Sequence, residues 1–491
     1  MEVRSSVVTS KRNDAPRRSP VLLGKMRSEL VRRTLHAAMQ RRWHPLANRY
    51  LQELRGYEFA STKSVDKIQW SRLSAILDHA SSQVPYYREL FRKHSIRPKH
   101  IVSPRDFARI PVLTKATLQE HREGLMAENR DKGEGVPNAS GGSTGKPVQF
   151  FQDAEYWDRA YASQWFAESW WGIRPGDSTA SLWGADRDVH EQSWKERLAT
   201  AVSQLRVCNA FALSSSELER FANMLAAWQP RYVIGYASAL EMFARFLLDR
   251  PELRIRPHAV KTTADVLSDE QRKLIERVFA CPVYNFYGSR EINNLAAECS
   301  AHQGLHVNSL TRYIEIVDDE GNPVPAGAPG RILVTDLTNY FMPFIRYEIE
   351  DVGSWSRKPC KCGRPFPLLE RIWGRTSDFI VTPDGKIIHG ERITHLFYAV
   401  PEVAQFQVEQ KTPHEIHVSF TLRPGLQGDP AERLRAMLRQ ALGSEIDFVI
   451  RMVGSIQRPP SGKHRFTTSA VRPSWQHTHS EDVVVKGAGL Q

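Results

Sequence analysis

The chain has 491 residues, with 67 Lys and Arg against 55 Asp and Glu, too many for one ordinary hydrophobic core, so at least two domains are expected, one large and one small. Apolar residues at 41% and charged residues at 25% are ordinary globular usage, which excludes a coiled coil, a collagen or a wholly disordered chain, and no apolar run reaches the roughly 20 residues of a membrane-spanning helix. The net charge of +12 suggests a polyanion binder, but residues 1–50 carry twelve Lys and Arg against three acids, a net +9 that leaves +3 for everything else.

The basicity therefore belongs to an N-terminal extension, residues 1–50, expected to be a solvated leader that can contact an anionic surface; no specific nucleic-acid partner is implied by the body. Val21 to Leu23 is far too short for the apolar segment of a secretory signal. Five cysteines, Cys208, Cys281, Cys299, Cys360 and Cys362, form no disulfide framework and suit a reducing compartment, so a cytoplasmic location is expected.

From Leu51 to His121 the apolar residues recur at helical spacing, as in Leu73, Ile76, Leu77 and then Tyr86, Tyr87, Leu90, Phe91. Residues 131–147, rich in Gly, Ser and Pro, read as a flexible loop, followed by a strand at 148–151 and an aromatic helix from Tyr156 to Trp171. Between Asp177 and Phe286, strands at 181–183, 232–234 and 283–286 alternate with helices at 215–228, 239–248 and 268–279, which predicts a sheet flanked by helices. Strands at 313–317 and 331–335 follow. A smaller α+β segment comes after Arg375, with strands near 379–382, 404–409 and 416–422 and a helix at 430–442. Residues from about Arg472 are polar and expected to fray.

The first chemical signal is Ser140, Gly141, Gly142, Ser143, Thr144, Gly145, Lys146, Pro147. Small residues let backbone N–H groups close around phosphate oxygens, hydroxyls add donors, and Lys146 adds charge. It is not a Walker A loop, because Ser140 and Pro147 stand where that motif needs Gly and Ser or Thr. Four more segments end in charged turns: Tyr287, Gly288, Ser289, Arg290, Glu291; the strand Ile345 to Asp351, read as ending in that carboxylate; Gly374, Arg375 to Asp378; and Ser461, Gly462, Lys463. Each alone is explained by a surface turn.

In this order and spacing, together with Val84 to Phe91, Arg109 to Lys115, Gly235 to Ser238 and Pro343 to Tyr347, the five motifs resemble the adenylate-forming superfamily, and within it the phenylacetate-CoA-ligase-like branch, over roughly residues 80 to 470. The resemblance implies an α/β fold with a large multi-sheet N-terminal adenylate-forming domain, residues 51–374, and a small mobile α+β C-terminal domain, residues 375–472, ahead of a tail at 473–491.

The resemblance also implies an ATP-dependent, AMP-forming carboxylate ligase that makes an acyl-adenylate and passes the acyl group to coenzyme A. Transfer to an amine, a carrier-protein thiol or a sugar is the alternative, and an inactive nucleotide-binding scaffold is a third reading. On this carry-over the 140–146 loop grips the β- and γ-phosphates, Glu291 holds Mg²⁺, Asp351 meets the ribose hydroxyls beside Arg375, Ala264 and Asp265 lie against adenine, and Tyr287 covers its other face. Lys463 would stabilise charge at the α-phosphate. The chain departs from its relatives at Arg290, Glu348, Ile349, Glu350 and Ser377, which leaves adenylation better supported than coenzyme A transfer.

Trp165 and Tyr236 are the candidates for an acyl pocket, which implies an aromatic or otherwise apolar acid; helical core packing is the commoner role for such rings. Cys299, His302 or His306, Cys360 and Cys362 have spacings that suit a closed structural zinc site. A homodimer is one expected assembly.

Overall fold

The computed structural model describes residues 34–140, 148–183, 204–210, 215–423, 428–456, 466–475 and 483–484. Helix α1 (Ala47–Gly56) buries Ala47, Tyr50, Leu51 and Leu54. It begins inside the segment read as a solvated leader, and it packs because its apolar stripe joins Ala162, Trp165 and Phe166 in one cluster. Helix α2 (Thr62–Gln83) is capped by the Ser61 hydroxyl, which accepts from the Ser64 N–H. Pro85 ends it and opens α3 (Pro85–Lys93), since proline cannot supply the N–H that a continued helix needs. The predicted stripe is the buried one: Leu73, Ile76, Leu77, Tyr87 and Phe91 join the largest core.

Strand β1 (Val136–Ala139) pairs antiparallel with β2 (Gln149–Gln152), which corrects the reading of 131–147 as loop throughout. A two-stranded ribbon tolerates Pro137, because an edge strand can do without a donor. The predicted phosphate loop from Gly141 to Lys146 lies outside the described residues. Helix α4 (Ala154–Trp170) follows, capped by Asp153, whose Oδ1 accepts from the Tyr156 N–H at 2.7 Å.

An eleven-stranded sheet then takes β3 (Thr179–Leu182), β4 (Leu205–Cys208), β5 (Tyr232–Tyr236), β6 (Ala259–Thr263), β7 (Val283–Tyr287), β8 (Ala296–Glu298), β9 (Leu305–Val307), β10 (Arg312–Val317), β11 (Gly330–Asp336), β12 (Tyr347–Trp355) and β13 (Leu368–Arg375). Its order is β10-β11-β12-β13-β9-β8-β7-β6-β5-β3-β4. The run from β7 to β4 is parallel and the remainder antiparallel. Helices α5 (Ser215–Trp228), α6 (Ala237–Leu248) and α7 (Asp269–Phe279) pack their apolar sides with one face of the parallel half. The other face carries Tyr232, Ala259, Tyr284 and Phe286, which cluster with Ala167 and Trp171 at the end of α4. Covered on both faces, β6 is buried along its whole length.

Strand β12 does not end at Asp351 as expected; it runs on to Trp355, with an irregularity in its pairing to β11 and Glu350 at φ +66°. That bulge re-aims Glu350 without ending the ladder.

A three-stranded sheet of β14 (Phe379–Val381), β15 (Ile387–His389) and β20 (Val483–Val484), and a four-stranded one of β16 (Val403–Thr412), β17 (Glu415–Leu422), β18 (Asp447–Met452) and β19 (Thr467–Ser469), make up the rest with helices α8 (Gly390–Tyr398) and α9 (Ala431–Leu442). Part of the expected frayed tail is placed: Trp475 is buried against Phe379, and Val483 pairs with Ile387. An indole buries too much apolar area to stay in water when a matching surface is near.

Candidate active site

A cavity of about 2200 Å³ opens at the carboxyl ends of the parallel strands β6 and β7 and runs back between α4 and the sheet. Its position follows the rule that open parallel sheets bind ligands beyond their strand ends. Among the described residues predicted for the site, Trp165, Tyr236, Ala264, Asp265, Tyr287, Gly288, Ser289, Arg290, Glu291, Asp351 and Arg375 all line it, and so does Ser140. Lys463 lies outside the described residues.

Asp351 and Arg375 are register partners on β12 and β13. The Arg375 Nε sits 3.0 Å from Asp351 Oδ1, and the Tyr287 hydroxyl at the end of β7 donates to Asp351 Oδ2 at 2.7 Å. Burial raises the Asp351 carboxyl above its ordinary range, opposed by the Arg375 charge and the Tyr287 hydrogen bond. Burial and the Asp351 charge push the Tyr287 phenol well up, so it keeps its proton and stays a donor. Arg375 is turned back by Asp378, whose Oδ2 accepts from the Arg375 N–H at 2.8 Å.

Glu350, one of the departures from the family pattern, is not idle. It pairs with Lys115 at 2.5 Å and lies 3.5 Å from Arg375, so it links the Arg109 to Lys115 motif to the Gly374-Arg375 motif.

Glu291 is 6% exposed, in the turn after β7. The Gln152 amide on β2 donates to the backbone carbonyls of Glu291 at 3.0 Å and Arg290 at 3.3 Å, so the β1–β2 ribbon and the turn carrying Glu291 are tied together. Ser289 steadies that turn: its Oγ accepts from the Ile292 N–H, and its own N–H donates to the Ile292 carbonyl, each at 3.1 Å. Ser140 closes the base of its loop, exchanging bonds with Val148 through backbone and hydroxyl at 2.9 Å each.

Ala264 adopts φ +68° at the end of β6, an uncommon conformation for a residue with a side chain. The strain turns the chain out of the strand into the cavity, and Asp265 then accepts from the Ser238 hydroxyl at 2.6 Å at the start of α6. Asp265 therefore holds the shape of this wall, tying the strand-end turn to the helix.

The cavity is also lined by the rings of Trp157, Tyr161, Trp165, Trp183, Tyr236 and Phe286. Trp183 and Tyr236 stack at 4.8 Å. Two residues that sequence reading did not single out, Glu168 on α4 and Lys261 on β6, form an ion pair here at 2.9 Å. The available signal was slight: a single lysine inside the short run Ala259 to Thr263.

Away from the cavity, Cys299, His306, Cys360 and Cys362 gather so that their ligand atoms all lie within 4.8 Å of one another. Cys299 and Cys360 sulfurs are 3.6 Å apart, and Cys362 Sγ is 3.2 Å from His306 Nε2. A tetrahedral zinc with Zn–S near 2.3 Å and Zn–N near 2.0 Å sets ligand edges of roughly 3.4 to 3.8 Å, so the donor set fits with small adjustment. His306 Nδ1 lies 3.4 Å from the Phe366 carbonyl, which fixes the tautomer that offers Nε2. Burial pushes the His306 imidazole down to about 4, leaving it neutral as a metal ligand must be. His302, the other candidate, lies elsewhere, stacked on Tyr284 and 3.3 Å from Glu298.

Residues 380–470 match the family model of the CapK C-terminal domain. The chain is 24% identical over 412 residues to Protein CapK of Staphylococcus aureus, an alignment covering 83% of this chain and 89% of that one. It is 28% identical over 353 residues to phenylacetate-coenzyme A ligase of Thermus thermophilus, covering 68% and 76%, and 25% identical over 438 residues to phenylacetate-coenzyme A ligase of Escherichia coli, covering 82% and 94%. Among solved structures, 2-hydroxyisobutyryl-CoA ligase in its postadenylation state shares the fold, with a TM-score of 0.66 at 19% identity over 84% of this chain and 91% of that one.

Proposed function

The chain belongs to the phenylacetate-CoA-ligase-like branch of the adenylate-forming superfamily, and from that premise we propose that it activates a carboxylic acid with ATP and passes the acyl group to coenzyme A. In the first step an oxygen of the carboxylate bonds to the α-phosphorus of ATP while the bond from that phosphorus to the bridging oxygen breaks and pyrophosphate leaves. In the second, the thiolate sulfur bonds to the acyl carbon and AMP departs. The observation that carries this reading is the convergence of Tyr287, Glu291, Asp351, Arg375 and the strained turn at Ala264 on the mouth of one cavity whose inner walls are aromatic.

Asp351 keeps lone pairs for ribose hydroxyls while Arg375 and Tyr287 fix its orientation. Tyr287 and the 264–265 turn suit an adenine between them. The tie from Gln152 joins the β1–β2 ribbon to the turn that carries the acid. Mg²⁺ would be held by Glu291 and the phosphates, a single carboxylate being the usual protein share at such sites; when bound it neutralises phosphate charge. Lys463 would meet charge that is greatest in the transition state. The rings around Trp165 and Tyr236 favour an aromatic or apolar body for the acid. Zinc at the Cys299 cluster would be structural, pinning the loop of Cys360 and Cys362 to the strands that follow Glu291.

Transfer to an amine, a carrier-protein thiol or a sugar is the second reading for the acceptor. It is kept open by the departures from the family pattern at Arg290, Glu348, Ile349, Glu350 and Ser377.

The test is acid-dependent pyrophosphate release. The wild-type chain should release it with at least one acid of a broad panel, and Lys463→Ala should lose release by at least about a thousandfold while still binding ATP. Normal adenylation by that variant would remove Lys463 from its role. Supplying coenzyme A afterwards and weighing the product separates the acceptors: a thioester supports the first reading, and free AMP without thioester the second.

A further inference from the structure

The inner wall of the cavity carries a charge pair that an apolar pocket does not need. Lys261 and Glu168 are 6% and 7% exposed in their side chains and 2.9 Å apart. Glu168 Oε1 also accepts from the Gln164 amide at 2.8 Å and the Tyr232 hydroxyl at 3.3 Å. Its other oxygen receives no hydrogen bond among the described residues. The Lys261 ammonium has three donors and, among the described residues, one hydrogen-bond acceptor, Glu168; the faces of Phe286 at 4.7 Å and Tyr232 at 5.7 Å also lie beside it.

Buried charges persist when paired and when their remaining donors and acceptors are met. Here, among the described residues, two donors of Lys261 and one oxygen of Glu168 are left over, and both residues line the cavity. The strand geometry gives the depth: Lys261 lies two residues before Thr263, roughly 6.6 Å further from the nucleotide end. At the same level Ser181, Ile234 and Lys261 stand in register across β3, β5 and β6, and Ser181 lines the cavity too.

Resting on the function proposed above, we infer that the Glu168–Lys261 pair selects a carboxylic acid that carries a hydroxyl group remote from the carboxylate being activated. The pair is neutral as a whole, so it has no excess charge to draw an ionic group out of water. What it offers is an acceptor and donors side by side. A hydroxyl answers both, accepting from Lys261 and donating to Glu168, while the rings of Trp165, Tyr236 and Phe286 cover the rest of the molecule. An acid without the hydroxyl would leave the same groups unmet, and sites built around a hydroxyl discriminate strongly against analogues lacking it.

The test is a ratio. Pyrophosphate release is measured with matched acids differing only by a hydroxyl: phenylacetate against its 2-, 3- and 4-hydroxy forms, and hexanoate against 6-hydroxyhexanoate. The wild-type chain should favour at least one hydroxylated member over its parent by at least about tenfold in kcat/KM. The double variant Lys261→Met with Glu168→Leu, in which apolar groups replace both charges, should bring that ratio to unity or invert it. Because the ratio is internal to each protein, a general loss of activity or stability does not move it. Release with some acids but no preference for a hydroxylated member in any pair overturns this inference alone, as does a preference that survives the double variant. No release with any acid overturns the proposed function, and this inference with it.

Discussion

The two ends of the cavity are built by different means. At the nucleotide end, Glu291, Glu350 and Asp351 face Arg375 and Lys115 across turns and a bulge, with Ala264 and Glu350 in left-handed backbone. At the inner end, a neutral Glu168–Lys261 pair sits among rings on regular helix and strand. The first arrangement places many charges around a highly charged ligand, so losing one group should weaken the reaction with every acid alike. The second changes what fits, so altering it should change the ranking of acids more than the chemistry.

The largest expected effect breaks the nucleotide end. Asp351→Ala leaves the Arg375 guanidinium without its carboxylate and removes the anchor of Tyr287; removing one partner of a buried pair costs about 3 to 5 kcal/mol. Steady-state kinetics in ATP should show kcat/KM down by more than about a hundredfold, equally for hydroxylated and plain acids. A loss that depends on the acid would blur the distinction between the two ends.

Next comes a control away from the cavity. Arg346, 2% exposed, lies 3.1 Å from Glu315 and donates to the carbonyls of Ala108, Ile110 and Gly321. Arg346→Met should lower unfolding stability in urea by about 3 kcal/mol and leave the ranking of acids unchanged.

Cys360→Ser should remove bound zinc, read by metal analysis, and lower stability by about 2 kcal/mol. Purified wild-type protein with no zinc at all would sink the metal assignment. The smallest effect is Tyr287→Phe, which deletes only the hydroxyl that donates to Asp351; a hydrogen bond to a charged group is worth about 1.5 kcal/mol, or roughly tenfold in the KM for ATP.

The gathering of the residues proposed for the nucleotide around one cavity was legible in the amino-acid sequence because most of them sit in or beside turns. Gly288 and Gly374, and acids set just beyond strands, leave local patterns that can be read in order. The pairing of Asp351 with Arg375 then follows from adjacent antiparallel strands. The inner end has no such pattern: Glu168 and Lys261 are 93 residues apart and meet only because α4 crosses the face of β6. The ribbon at 136–139 was hidden by Pro137 and its polar neighbours, and the docking of Trp475 by a polar tail around it. Glu350 read only as a departure from the family pattern, and its pairing with Lys115, 235 residues away, left no local sign.

The most direct test of the account is to incubate the chain with ATP, Mg²⁺ and the acid panel while withholding coenzyme A, and to weigh what the protein holds. An acyl-adenylate is expected at the mass of one acid joined to AMP with loss of one water, with one pyrophosphate released for each adenylate formed. Bound ATP that stays intact with every acid would contradict it.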